Sequence, residues 1–182
     1  MVAPAPILLL GDPRLRRVCR QVVDFADPEL PAACNRLTAT LVDFQRRHGF
    51  GRAIAAPQIG VGLRIVAMDP AHGPPLLVNP EITWRSEKSM TLWDDCMSFP
   101  DLLVRLRRWR SISLRYQEVE GAAHDWDALQ PGAAELLQHE IDHLDGVLAI
   151  DHALDREAIV LRSVFEAEPE RLRGQVDWPS GR

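Results

Sequence analysis

LLQHEIDHLDG, residues 136–146, sets His139 and His143 four apart, with Glu140 directly after the first. On a helix, residues four apart share a face one turn apart, so both imidazoles can reach one divalent ion. Glu140 sits beside them, placed to take a proton from a water that such an ion acidifies. Pro131 suits the first turn of this helix, and Asp145-Gly146 suits its end. A histidine pair that is merely buried or exposed is the plainer alternative, and the capped amphipathic helix around it speaks for the metal.

Upstream, DPELPAACNRLTATLVDFQRRHGFG (27–51) predicts a second amphipathic helix. Asp27 can cap it, Pro28 suits its first position and Gly49 its end. Leu30, Cys34, Leu37, Leu41 and Phe44 recur at spacings of three and four, which makes Cys34 a small buried hydrophobe. From Leu63 to Glu120 the period changes. LRIVAM (63–68), LLVNPEITW (76–84) and LVRLRRWRSISLRYQEV (103–119) alternate or run in short apolar bursts, as strands do. The arginines between Arg105 and Arg115 interleave with apolar residues and read as the wet face of an antiparallel sheet. LGDPRLRRVCRQVVDF (10–25) reads as an irregular arm, and Leu154 to Glu166 as a last amphipathic segment. The fold class is α+β: one compact domain over residues 1–168, with short antiparallel strands around the HExxH helix and a helix towards either end. A polar, loose tail follows over 169–182.

Composition narrows the function. The chain has 182 residues, 46% hydrophobic, with 21 basic and 26 acidic residues and a net charge of −5. No block of like charge is present, so neither nucleic acid nor an anionic membrane is the expected partner. MVAPAPILLLGD (1–12) lacks a basic region, and its apolar run is too short for a signal peptide or a spanning helix. Cys19, Cys34 and Cys96 are few and odd in number, which points to a reducing cytoplasm rather than a disulfide framework.

Two histidines do not complete a catalytic metal site, which ordinarily has three protein ligands and an open position. Downstream candidates for the third are His152, Glu157 and Glu166, as a zincin-like metallopeptidase would use. Upstream, Cys96 in WDDCMSFP (93–100) offers a thiolate after an apparent strand. Spacing alone leaves both open.

Three stretches together resemble the peptide deformylase family. GRAIAAPQIG (51–60) is similar to its Gly-x-Gly-x-Ala-Ala-x-Gln segment, and DDCMS (94–98) to its Glu-Gly-Cys-Leu-Ser segment. QHEIDHLDG (138–146) matches the third without a gap, and all three occur in the family's order. GDPRLR (11–16) and LVNPEI (77–82) also resemble family stretches, so the likeness spans roughly residues 7–165. The resemblance implies that Cys96, His139 and His143 bind one divalent metal, Fe(2+) in the cell, with Zn(2+) or Ni(2+) as substitutes. It implies Glu140 as general base and later proton donor, with Gln58 and the Met97 backbone N–H holding the oxyanion. The reaction implied splits an N-formyl amide into formate and a free amine. Its default substrate is formyl-Met at the N-terminus of nascent proteins, reached through a transient ribosome contact. Gly51, Ala53, Ile54, Asp95, Gly132 and Glu135 are then the expected substrate-binding positions.

The sequence departs from that pattern at Asp94-Asp95, where the family has Glu-Gly, and at Ala53, where it has Gly. Gly132 stands where leucine is frequent, and Glu135 lies one turn before His139. If Asp95 and Glu135 face the cleft unpaired, they make it acidic and favour a cationic formylated compound; otherwise Glu135 pairs with an arginine from the strands. A non-catalytic binding relative is the remaining alternative, against which the retained Glu140 argues.

Overall fold

Residues 2–178 are described by a computed structural model. The first helix, α1 (Glu29–His48), starts one residue after Pro28. The Asp27 carboxylate accepts from the Glu29 N–H at 2.9 Å, and Gly49 closes the helix at φ 73°. Leu30, Cys34, Leu37, Leu41 and Phe44 are all buried, as their spacing predicts. Burial pushes the Cys34 thiol up to about 11, so it behaves as a hydrophobe.

Two antiparallel sheets follow. One runs β1 (Ala53–Ala55), β2 (Ile65–Met68), β3 (Leu76–Arg85), β6 (Ile112–Gln117) and β7 (Ala123–Trp126), in that spatial order. The other runs β4 (Ser89–Asp95), β5 (Leu102–Trp109) and β8 (Ile159–Leu161). The alternating stretch 103–119 is therefore two strands, broken at Arg110-Ser111, and each half joins a different sheet. Arg107, Arg110 and Arg115 are exposed as a wet face requires. Arg108 is not: it shares strand parity with Val104 and Leu106 and is buried with them.

Between the sheets lies α2 (Pro131–Leu144), which packs against β1 and β5. Every residue from Ala134 to Leu144 except Asp142 is buried, as a helix enclosed on all sides demands. The Gln138 amide fixes it to the sheet, accepting from the Trp109 N–H and donating to the Trp109 carbonyl, each at 2.9 Å. At its C-terminus the Leu144 carbonyl accepts from the Cys19 N–H at 2.8 Å. There the N-terminal arm comes so close that a Cβ on Gly146 (φ +73°) would stand 2.6 Å from the Arg16 carbonyl oxygen.

Two expectations at the C-terminus are corrected. Leu154 to Glu166 is not one helix. Ile159–Leu161 forms β8 and pairs with β5, and only Arg162–Ala167 is helical (α3). The β-branched Ile159-Val160 pair suits a strand, and pairing covers an edge that β5 would otherwise expose. Nor is the segment after residue 168 loose as far as Trp178; residues 179–182 lie outside the described residues. Pro169–Arg173 forms a short helix, α4, whose Leu172 is 1% exposed against Trp93. The Leu172 carbonyl accepts from the Trp93 Nε1–H at 2.7 Å, and the Trp178 N–H donates to the Thr91 carbonyl at 3.0 Å. A few apolar side chains in a polar stretch thus cover Trp93 and the outer edge of β4. Among the described residues no helix is long and apolar enough to cross a membrane.

Leu172→Ala is expected to cost about 2–5 kcal/mol, the usual range for a fully buried leucine. Urea unfolding should show a lower midpoint at unchanged slope. A midpoint equal to the parent's means that the segment contributes nothing to the fold.

Candidate metal centre and active-site cleft

Cys96 lies in the turn immediately after β4, while His139 and His143 project from α2. One ligand atom from each falls within 4.8 Å of the others, and all three residues are buried. The Cys96 Sγ stands 3.2 Å from the His143 Nε2. Sulfur and nitrogen ligands of one tetrahedral zinc, at about 2.3 and 2.1 Å, lie about 3.6 Å apart, so this donor set fits a single ion with little adjustment. Of the downstream candidates, His152, Glu157 and Glu166 are exposed, and His152 bonds Asp142 at 3.1 Å instead. None joins the cluster.

Behind the histidines is a buried ionic network that the sequence did not reveal. The His139 Nδ1 meets the Asp94 carboxylate at 2.9 Å, which turns its Nε2 towards the cluster. Asp94 also accepts from the Arg108 Nη2 at 3.3 Å, and Arg108 bonds Asp142 on α2 through its Nη1. Burial alone would raise Asp94, but His139 and Arg108 outweigh it and hold the carboxyl down to about 2. Burial acts to lower His139, yet the Asp94 carboxylate keeps it well above the usual imidazole value. His143 lacks such a partner. Burial, aided by the neighbouring His139, holds it well below that value. Asp94 is thus more than a shorter stand-in for glutamate: it orients the His139 ring, a candidate ligand.

Glu140 is 3% exposed, and its Oε2 has no hydrogen-bond partner among the described residues. Burial raises its carboxyl to about 7. Gln58 is also buried, in the 3-10 turn after β1. Its Oε1 accepts from the Ala55 N–H at 2.9 Å, so its Nε2 must face the cluster, 3.6 Å from the Cys96 Sγ and 3.2 Å from the Ser98 Oγ. Met97 follows the thiol directly. A Cβ on Gly51 (φ +116°) would stand 2.6 Å from the Met97 side chain, which is why the chain is bare there.

These groups open onto a cavity of about 710 Å³, also lined by Gly51, Ala53, Asp95 and Glu135. Two expected substrate contacts stand apart from it. The Ile54 side chain is wholly buried in the core under α1, on the other face of β1 from Ala53. Gly132 touches the site only through its carbonyl, which accepts from the Arg52 Nη1 at 3.1 Å. The condition for an acidic cleft, Asp95 and Glu135 both unpaired, is not met. Asp95 pairs with Arg162 at 2.8 Å and Glu135 with Arg52 at 2.6 Å, so both carboxylates are neutralised. Arg52 and Arg108 are the residues that sequence reasoning missed. Parity with Val104 and Leu106 could have flagged Arg108, whereas nothing local distinguished Arg52.

Comparison with known proteins agrees with this geometry. The family profile described as Polypeptide deformylase matches residues 4–158. A curated peptide deformylase of Thermotoga petrophila is 35% identical over 156 residues, covering 86% of this chain and 91% of the relative. The crystal structure of peptide deformylase from Thermotoga maritima superposes with TM-score 0.74 at 34% identity, covering 84% of this chain and 99% of that one. A peptide deformylase from Legionella pneumophila gives TM-score 0.76 at 28% identity, covering 95% and 97%. Profile, sequence and fold converge, and the chain belongs to the polypeptide deformylase family.

Proposed function

We propose that this protein hydrolyses the formamide of N-formylated peptides, with formyl-Met at the N-terminus of nascent chains in the cytoplasm as the default substrate. The observation that carries this reading is the cluster of Cys96, His139 and His143, with the Gln58 amide turned towards it and Glu140, whose Oε2 has no partner among the described residues, lining the same cavity. Cys96, His139 and His143 would hold the metal, with ferrous iron as the expected ion and zinc or nickel as substitutes. Such an ion makes water acidic and polarises a carbonyl.

The chain's own groups do the rest. Glu140 takes a proton from the attacking water as its oxygen adds to the formyl carbon. A carboxyl held near neutrality by burial suits both accepting that proton and returning it. Gln58 Nε2–H and the Met97 N–H donate to the carbonyl oxygen as it gains charge. The C–N bond then breaks, the amine leaves with the proton from Glu140, and formate remains. Asp94 holds the His139 ring with Nε2 towards the cluster throughout.

Three measurements test the assignment. Cys96→Ser should lose most of its bound metal, since a neutral hydroxyl is a far poorer ligand than a thiolate; full occupancy by elemental analysis would remove Cys96 from the ligand set. Glu140→Ala should keep metal and fold while formate release falls by about 10²–10⁴, the range for a general acid–base group. Near-normal turnover in that variant would sink the mechanism. Gln58→Leu should lower kcat by about 10²–10³, as loss of an oxyanion donor does, whereas unchanged kinetics would leave Gln58 a structural role only.

A further inference from the structure

The profile that places the chain in its family ends at residue 158, so that match does not account for residues 159–178. These residues fold back over β4 and reach the reaction cavity. Phe165, Arg173, Val176 and Trp178 line the same space as Cys96, His139 and Glu140. The wall they form is tied down at both ends. Arg162 pairs with Asp95 at 2.8 Å and donates through its Nε to the Pro100 carbonyl at 2.6 Å. At the other end the Asp177 carboxylate accepts from the Thr91 N–H at 2.8 Å, and the Thr91 carbonyl accepts from the Trp178 N–H at 3.0 Å. Between these ties the Phe165 and Trp93 rings meet edge to face, with centroids 5.9 Å apart.

Phe165 and Val176 pack with Trp93 and Leu103 in one apolar cluster, and all four line the cavity. Phe165 is nearly enclosed, whereas Val176 is half-buried and keeps surface to offer. Elsewhere the lining is mixed, with Gln45, Arg52, Asp69, His72 and Glu135 among it. An apolar side chain set against the cluster leaves water and forfeits no hydrogen bond. A hydroxyl or a charge in the same place would lose its water and gain no partner.

Distance decides which part of a substrate this wall can meet. Trp93 stands three residues before Cys96, at the end of β4. At about 3.3 Å per residue the two are about 10 Å apart. An extended peptide covers that span in about three residues. With its formamide at the Cys96 cluster, a formyl-Met peptide that runs along β4 brings the residues after methionine level with the wall. We infer that residues 162–178 form a specificity-determining wall of the substrate cavity, which selects N-formyl peptides with apolar residues after the methionine. This rests on the deformylase reading above and deepens it by adding the second and third residues to what is recognised.

The test measures formate release from formyl-Met-Leu-Leu, formyl-Met-Ser-Ser and formyl-Met-Lys-Lys by iron-loaded protein kept from oxygen. The parent should favour the leucine peptide over the serine peptide in kcat/KM by about tenfold, the worth of partly burying one leucine side chain. V176S removes apolar surface from the wall and should lose several-fold of that ratio, through KM rather than kcat. V176D should shift selection towards the lysine peptide, less so at high salt. A relative gain for one peptide cannot come from a damaged fold. E170Q, exposed on α4 and outside the cavity, should leave the ratios as in the parent, and elemental analysis should find equal metal in all four proteins. Equal kcat/KM for the leucine and serine peptides in the parent overturns the inference and leaves deformylation standing. Variants at Val176 that lower all three peptides alike do the same, since a merely structural segment would behave so. Formate from none of the peptides with metal bound overturns the deformylase reading, and the inference with it.

Discussion

A guanidinium enclosed in protein persists only where its charge is met on more than one side. Arg108 supplies that constraint here. Its side chain is 4% exposed, and it reaches from β5 to Asp94 on β4 and to Asp142 on α2. Moving the sheet away from the helix would cost the buried guanidinium one of its two carboxylate partners, so the three-stranded sheet and the central helix are tied together. Asp94, fixed by Arg108, then spends its remaining capacity on the His139 Nδ1. The ring orientation that a metal ligand needs is therefore set by the same interaction that joins sheet to helix.

The site's other parts hang from this frame through short reaches. Cys96 comes one residue after β4 ends, so the strand that carries Asp94 also places the thiol. Gln58 reaches the thiol from the opposite side, its amide oriented by the Ala55 N–H rather than by any charge. The Gln138 bonds to Trp109 stop α2 from sliding along the sheet. A cluster drawn from a helix, a strand end and a 3-10 turn is thereby held without one ligand lying on a long loop.

Local patterns were legible in the sequence, and partnerships were not. Both long helices could be read because periodicity, a proline at the start and a glycine at the end act within a few residues. Spacing left the third member of the cluster open between Cys96 and downstream residues, and the family resemblance pointed to Cys96, which lies 43 residues before His139 and meets the histidines only in the fold. The run 103–119 reads as strand on both sides of Arg110-Ser111, since alternation continues across them; only its sorting into two sheets shows where it divides. Arg52 remained invisible for a similar reason. Its partner lies 83 residues away on α2, and an arginine before a three-residue strand reads as solvent-facing.

The Asp94-Asp95 pair shows how strand geometry decides what a substitution does. Successive side chains on β4 point to opposite faces. Asp94 therefore turns inward, 6% exposed, where two cationic partners hold it ionised. Asp95 turns the other way to meet Arg162 at the start of α3, and that guanidinium also lies over the Phe50 ring at 5.1 Å. One carboxylate orients the His139 ring; its neighbour ties the C-terminal segment to the cleft's rim. Neither is left to draw a cationic substrate, so adjacent acidic residues beside Cys96 do not make an acidic site.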